Sequence, residues 1–157
     1  MTAAELIAQA AKRLSDAGVP EPELDAKILF LEAFHMDQVH FLMNRMRPLT
    51  EEQRTQQETY EAMIDRRSAR VPLQQILGSQ EFMGLTFRVT PDVLIPRQDT
   101  ETLVEQVLQE QKDPDIRLLD LCTGSGCIAI SLAVMGGYRD VTAADLSEAA
   151  LKVAAEN

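Results

Sequence analysis

Residues 117–133, RLLDLCTGSGCIAISLA, constrain the fold of this chain more than any other stretch. An apolar run with an acidic residue, a Gly-containing turn and an apolar stretch at helical spacing follow one another. That order predicts a strand, a tight turn and a helix, the opening unit of a nucleotide-binding α/β domain. Gly124 and Gly126 matter most. Each can take positive φ, and with no Cβ each lets a ligand lie against the backbone. A second apolar run, 141–144, ends at Asp145, where such a domain places a ribose-binding carboxylate.

The turn alone admits two chemistries. Gly124-Ser125-Gly126-Cys127-Ile128-Ala129 fits G-x-G-x-x-A, which an NAD-dependent oxidoreductase would also show. Both readings expect an adenosine moiety whose ribose hydroxyls are held by Asp145. The acidic residues separate them. Asp120 lies inside the first strand, and D-x-x-x-G-x-G of this kind resembles motif I of S-adenosylmethionine-dependent methyltransferases. A zwitterionic methionine end and a sulfonium tolerate negative charge beside the turn, whereas a pyrophosphate is repelled by it.

The formal charge is −10, with −7 of it from Ile76 onward. A field of that sign argues against nucleic acid as a direct ligand. No apolar run approaches membrane-spanning length and no signal-peptide pattern opens the chain, so no membrane partner is expected and the cytoplasm is the expected compartment. Cys122 and Cys127 are the only cysteines, too few for a zinc site or a disulfide framework. Cys122 is expected to be a small buried residue at a strand end.

The first half reads as helices. Thr2 to Glu5 is a capping box, followed by a stripe of Leu6, Ile7, Ala10 and Leu14 that Gly18 stops. Leu24, Ile28, Leu31 and Phe34 form a second stripe. Asp37 caps a short third helix through Phe41, Leu42 and Met46, and Thr50 with Gln53 caps a longer, more polar fourth towards Ala69. After Pro72 the period changes. Residues 80–89 alternate around Met83-Gly84 as a β-hairpin, Pro91 and Pro96 bound a loop, and Leu103, Val104, Val107 and Leu108 mark a further helix.

With these elements in place, the chain resembles the bacterial peptide chain release factor glutamine methyltransferases, the HemK/PrmC family, in its N-terminal portion. The most specific match is GSQEFMGLTFRVTPDVLIPRQDTETLVE, 78–105, against the family's F-x-G-x-x-F…V-L-I-P-R-x-[DE]-T-E signature; LDLCTGSGCIAI, 119–130, matches its motif I. The resemblance implies an α/β protein: an N-terminal helical bundle that docks substrate (1–73), a β-hairpin and linker (74–96), then the truncated start of a Rossmann-like methyltransferase domain (97–157). It implies S-adenosylmethionine as cofactor, with Cys122, Thr123, Gly124, Ser125 and Gly126 lining the methionine end and Asp145 on the ribose. The partner it implies is a class 1 release factor, methylated on the side-chain amide nitrogen of the glutamine in its Gly-Gly-Gln motif. The family clamps that amide with Asn-Pro-Pro-Tyr, which this sequence does not contain. No catalytic residue is therefore expected here, and the chain alone is expected to be inactive. A non-catalytic release-factor docking module is the other alternative.

Several residues carry competing readings. Arg97 lies either near the cofactor cleft or in an ion pair with Asp99 or Glu101. Arg66, Arg67 and Arg70 are read first as complementing a helix dipole and second as a contact to a partner. His35 and His40 have no neighbours at metal or catalytic spacing, and Met36, Met43, Met46 and Met63 are read as core filler.

Overall fold

A computed structural model describes all residues, Met1–Asn157, and the chain divides into two compact units, Met1–Leu77 and Gly78–Asn157. The first is entirely helical: α1 (Ala3–Asp16), α2 (Pro22–Ala33), α3 (Gln38–Asn44), α4 (Arg54–Ser68) and α5 (Leu73–Leu77). A single 3-10 turn, Glu51–Gln53, leads into α4. The capping box at α1 forms as expected: Thr2 N–H donates to Glu5 Oε2 at 2.9 Å and Glu5 N–H to Thr2 Oγ1 at 3.2 Å. Gly18 ends the α1 segment with φ +74°.

The buried face of α2 differs from the sequence expectation. Ala26, Leu29, Phe30 and Ala33 are buried together with Asp25; of the expected stripe Phe34 is buried, while Leu24 is 49% exposed and Ile28 and Leu31 are only half-buried. Apolar residues occur all around this helix, so periodicity does not select one face; its partners do. Phe30 stacks on Phe34 at 4.1 Å between ring centroids and meets Tyr60 edge-on at 5.6 Å. The Tyr60 hydroxyl donates to the Ala26 carbonyl at 3.1 Å, and burial pushes its pKa up.

Asp37 caps α3, accepting from His40 N–H at 2.7 Å, yet only Phe41 of that helix is buried. Leu42, Met43 and Met46 are exposed, so Met43 and Met46 are not core filler; Met36 and Met63 do pack against the core. The arginines at the end of α4 are held inside the unit. Arg67 Nε pairs with buried Asp25 at 2.7 Å, Arg66 donates to the Gln75 carbonyl, and Arg70 donates to the Gly18 carbonyl. α5 was not expected. Five residues after Pro72 are too short for a periodic signal.

The second unit holds a hairpin of β1 (Ser79–Phe82) and β2 (Leu85–Arg88), then α6 (Glu101–Glu110), β3 (Arg117–Leu121), α7 (Cys127–Gly136), β4 (Asp140–Ala144) and α8 (Glu148–Glu156). Phe82 pairs with Leu85 across Met83-Gly84, whose φ values of +53° and +73° are those of a two-residue hairpin loop matched to strand twist. Phe82 and Phe87 are buried in one cluster with Val104 and Leu132. β3 and β4 pair in parallel, Leu118 opposite Val141 and Asp120 opposite Ala143, with α7 as the crossover. No helix is long and apolar enough to cross a membrane.

The β3–β4 pair is covered on one face only. Leu119 and Leu121 are 62% and 68% exposed on the other. Each forgoes a good part of the about 1.5–3 kcal/mol that full burial of a leucine gives. We expect concentration-dependent self-association in sedimentation velocity, reversed by Leu119→Lys with Leu121→Glu. A wild-type chain that stays monomeric across a hundredfold concentration range would contradict this.

Candidate functional site

The turn after β3 alternates in hand. Cys122, Gly124 and Gly126 all have positive φ, at +62°, +57° and +81°. Cys122 is exposed, not buried as its strand-end position suggested. The chain turns left-handed at that residue and leaves the sheet, so its side chain does not continue the pleat. Thr123 anchors the turn from inside. Its N–H donates to the Ala144 carbonyl at 3.0 Å and its hydroxyl to Asp120 Oδ2 at 2.7 Å. Gly126 N–H closes back onto the Thr123 carbonyl at 2.9 Å. Ser125 is 2% exposed, and its hydroxyl has no hydrogen-bond partner in the protein.

The two glycines do different work. A Cβ placed on Gly124 would meet nothing within 4 Å. A Cβ on Gly126 would lie 3.0 Å from Ile130 Cδ1 and 3.2 Å from Ala154 Cβ, so its bareness lets α7 and α8 pack. A side chain at Gly126 therefore meets the helix–helix contact first, whatever ligand the turn receives.

Asp145 stands at the end of β4 beside this turn. Its Oδ1 accepts from Ser147 N–H and its Oδ2 from Gly124 N–H, both at 2.9 Å. Those two bonds, Ser147 first, hold its carboxyl below the ordinary aspartate range. The stability they give the turn is present above that range and is lost as pH falls through the lowered pKa. Burial, by contrast, raises the Cys127 thiol, which is sealed at the start of α7.

Sequence reasoning missed two ties to this region. Glu101 Oε1 accepts from Met83 N–H at 2.6 Å, fastening the hairpin turn to the start of α6. Asn157 Nδ2 donates to the Ser125 carbonyl at 2.9 Å, from 32 residues away. The Thr-Glu of the loop signature was a visible sign of the first; nothing in the local sequence marked the second. Arg97 is exposed and forms no ion pair with Asp99 or Glu101, and His35 and His40 lie exposed in the helical unit.

Comparison with known proteins gives two family matches. The PrmC N-terminal domain matches residues 5–78, and the ribosomal protein L11 methyltransferase (PrmA) family matches residues 98–157. A release factor glutamine methyltransferase from Moorella thermoacetica is 43% identical over 159 aligned residues, covering 100% of this chain and 55% of that protein. One from Cereibacter sphaeroides is 41% identical, covering 100% of this chain and 54% of its own length. One from Coxiella burnetii is 47% identical over 66% of this chain and 38% of its own. The chain spans about half the length of the curated relatives it matches over its full extent.

Proposed function

Because the chain belongs to the release factor glutamine methyltransferase family, whose N-terminal portion it matches, we propose that the intact protein methylates the glutamine of the Gly-Gly-Gln motif in class 1 release factors. The methyl group goes from S-adenosylmethionine to the side-chain amide nitrogen. In this reading residues 1–73 dock the substrate, 74–96 link, and 97–157 open a Rossmann-like cofactor domain. The match to release factor glutamine methyltransferases carries this reading, and the open side of Gly124 beside the Asp145 carboxylate at the neighbouring strand end supports its cofactor part.

The residues of the turn fit this cofactor. Each Asp145 oxygen uses one lone pair on a backbone N–H and keeps another for a ribose hydroxyl. The backbone of Cys122, Thr123, Gly124, Ser125 and Gly126 lines the methionine end, approached from the bare side of Gly124. Asp120, fixed through the Thr123 hydroxyl, puts a second carboxylate behind the turn. Two negative charges favour a ligand bearing a sulfonium over a pyrophosphate, and the methyltransferase match over 98–157 favours the same choice against an oxidoreductase. When bound, the cofactor supplies an electrophilic methyl group. Asn-Pro-Pro-Tyr does not occur in these residues, so this chain carries cofactor-binding groups without the amide clamp and is expected to bind without transferring.

Calorimetric titration with S-adenosylmethionine tests the reading. Asp145→Ala should weaken binding by about 1.5–3 kcal/mol, the range for hydrogen bonds to a charged group. Unchanged affinity removes Asp145 from the site, and a wild-type chain that binds NAD but not S-adenosylmethionine reverses the choice of cofactor.

A further inference from the structure

Resting on that cofactor reading, we infer that Asn157 is a positioning residue for the turn 122–126, bracing it against the hairpin. Its carboxamide makes three hydrogen bonds. Oδ1 accepts from Arg88 N–H at 2.7 Å, and Nδ2 donates to the Arg88 carbonyl at 3.2 Å and to the Ser125 carbonyl at 2.9 Å. The amide thus pairs with both main-chain groups of the last β2 residue, as a neighbouring strand would. It spends its remaining donor on the turn.

The geometry gives this brace leverage. Ser125 sits between the two glycines, with positive φ on either side, and its own hydroxyl is unpartnered. The hydrogen bond on its carbonyl comes from outside the turn, from Asn157 Nδ2. Arg88 also pairs with Glu156 through its guanidinium, so the end of α8 is held to β2 on consecutive residues. Only an amide side chain supplies the acceptor for Arg88 N–H and the two donors at once. An aspartate at this position would keep the acceptor and set a negative oxygen against two carbonyls.

Amide hydrogen exchange by NMR on the full chain, paired with calorimetric titration of S-adenosylmethionine, separates the brace from the cofactor reading. Asn157→Ala should speed exchange at Arg88, Gly124 and Gly126 by about tenfold and weaken cofactor binding by a similar factor. Asn157→Asp should keep Arg88 protected while the turn amides speed up, a split that general loosening of the unit would not produce. Exchange at the turn within twofold of wild type in both variants overturns the brace. Faster exchange with unchanged affinity overturns its positioning role. Intact wild-type protein that does not bind overturns the cofactor reading, and the exchange data then judge the brace alone.

Discussion

Gly126→Val should destabilise the second unit by about 2–5 kcal/mol before any ligand is added. A residue other than glycine at φ +81° costs about 1–2 kcal/mol, and forcing carbon into a packed contact adds about 1–3 kcal/mol. The packed contact is Ile130 Cδ1 and Ala154 Cβ. Gly124→Ala carries the backbone term alone, because its Cβ meets nothing within 4 Å. Its expected signature is a small loss of stability with a large loss of cofactor affinity. Thermal unfolding without ligand, set beside titration calorimetry, checks the pair. Equal unfolding midpoints for Gly126→Val and Gly124→Ala would refute the division of labour between the two glycines.

Asp25→Ala should cost about 3–5 kcal/mol in the helical unit, because it leaves the Arg67 guanidinium charged and buried without its partner. The two side chains are 8% and 13% exposed, so the lost carboxylate is only partly replaced by water. Arg67 also donates to the Val71 carbonyl at 3.0 Å, so it cannot swing out without a further loss. Replacing both partners, Asp25→Leu with Arg67→Met, should restore most of the stability, since the cost lies in the orphaned charge. Urea unfolding read by Tyr60 fluorescence in a Tyr138→Phe background reports on this unit alone. A double variant no more stable than Asp25→Ala would place the effect in packing instead.

Local rules made much of this legible from sequence. The capping boxes at Thr2 and Thr50, the Asp37 cap, the hairpin around Met83-Gly84 and the strand–turn–helix at 117–133 all stand where short-range signals put them. What stayed hidden depends on distant neighbours. The buried face of α2 is chosen by Tyr60 and α1, not by its own apolar pattern, and Arg67 finds Asp25 across 42 residues. Cys122 kept its strand-like sequence while its backbone turned left-handed. Gly126 fits the nucleotide fingerprint, so its packing against Ala154 could not be told from a ligand approach by spacing alone.

The tie between Arg88 and Asn157 also bears on the order in which the chain acquires structure. It joins residues 69 positions apart, whereas the helical unit packs α1 on α2 directly after it in sequence. Closing a long loop costs entropy before the contact repays it, and contacts of high sequence separation slow folding. During synthesis the first unit has its neighbours at hand as soon as it emerges, while the turn at 122–126 waits for residue 157. Refolding kinetics of the two units should therefore separate, with the helices formed early and the turn that faces the proposed cofactor locked last.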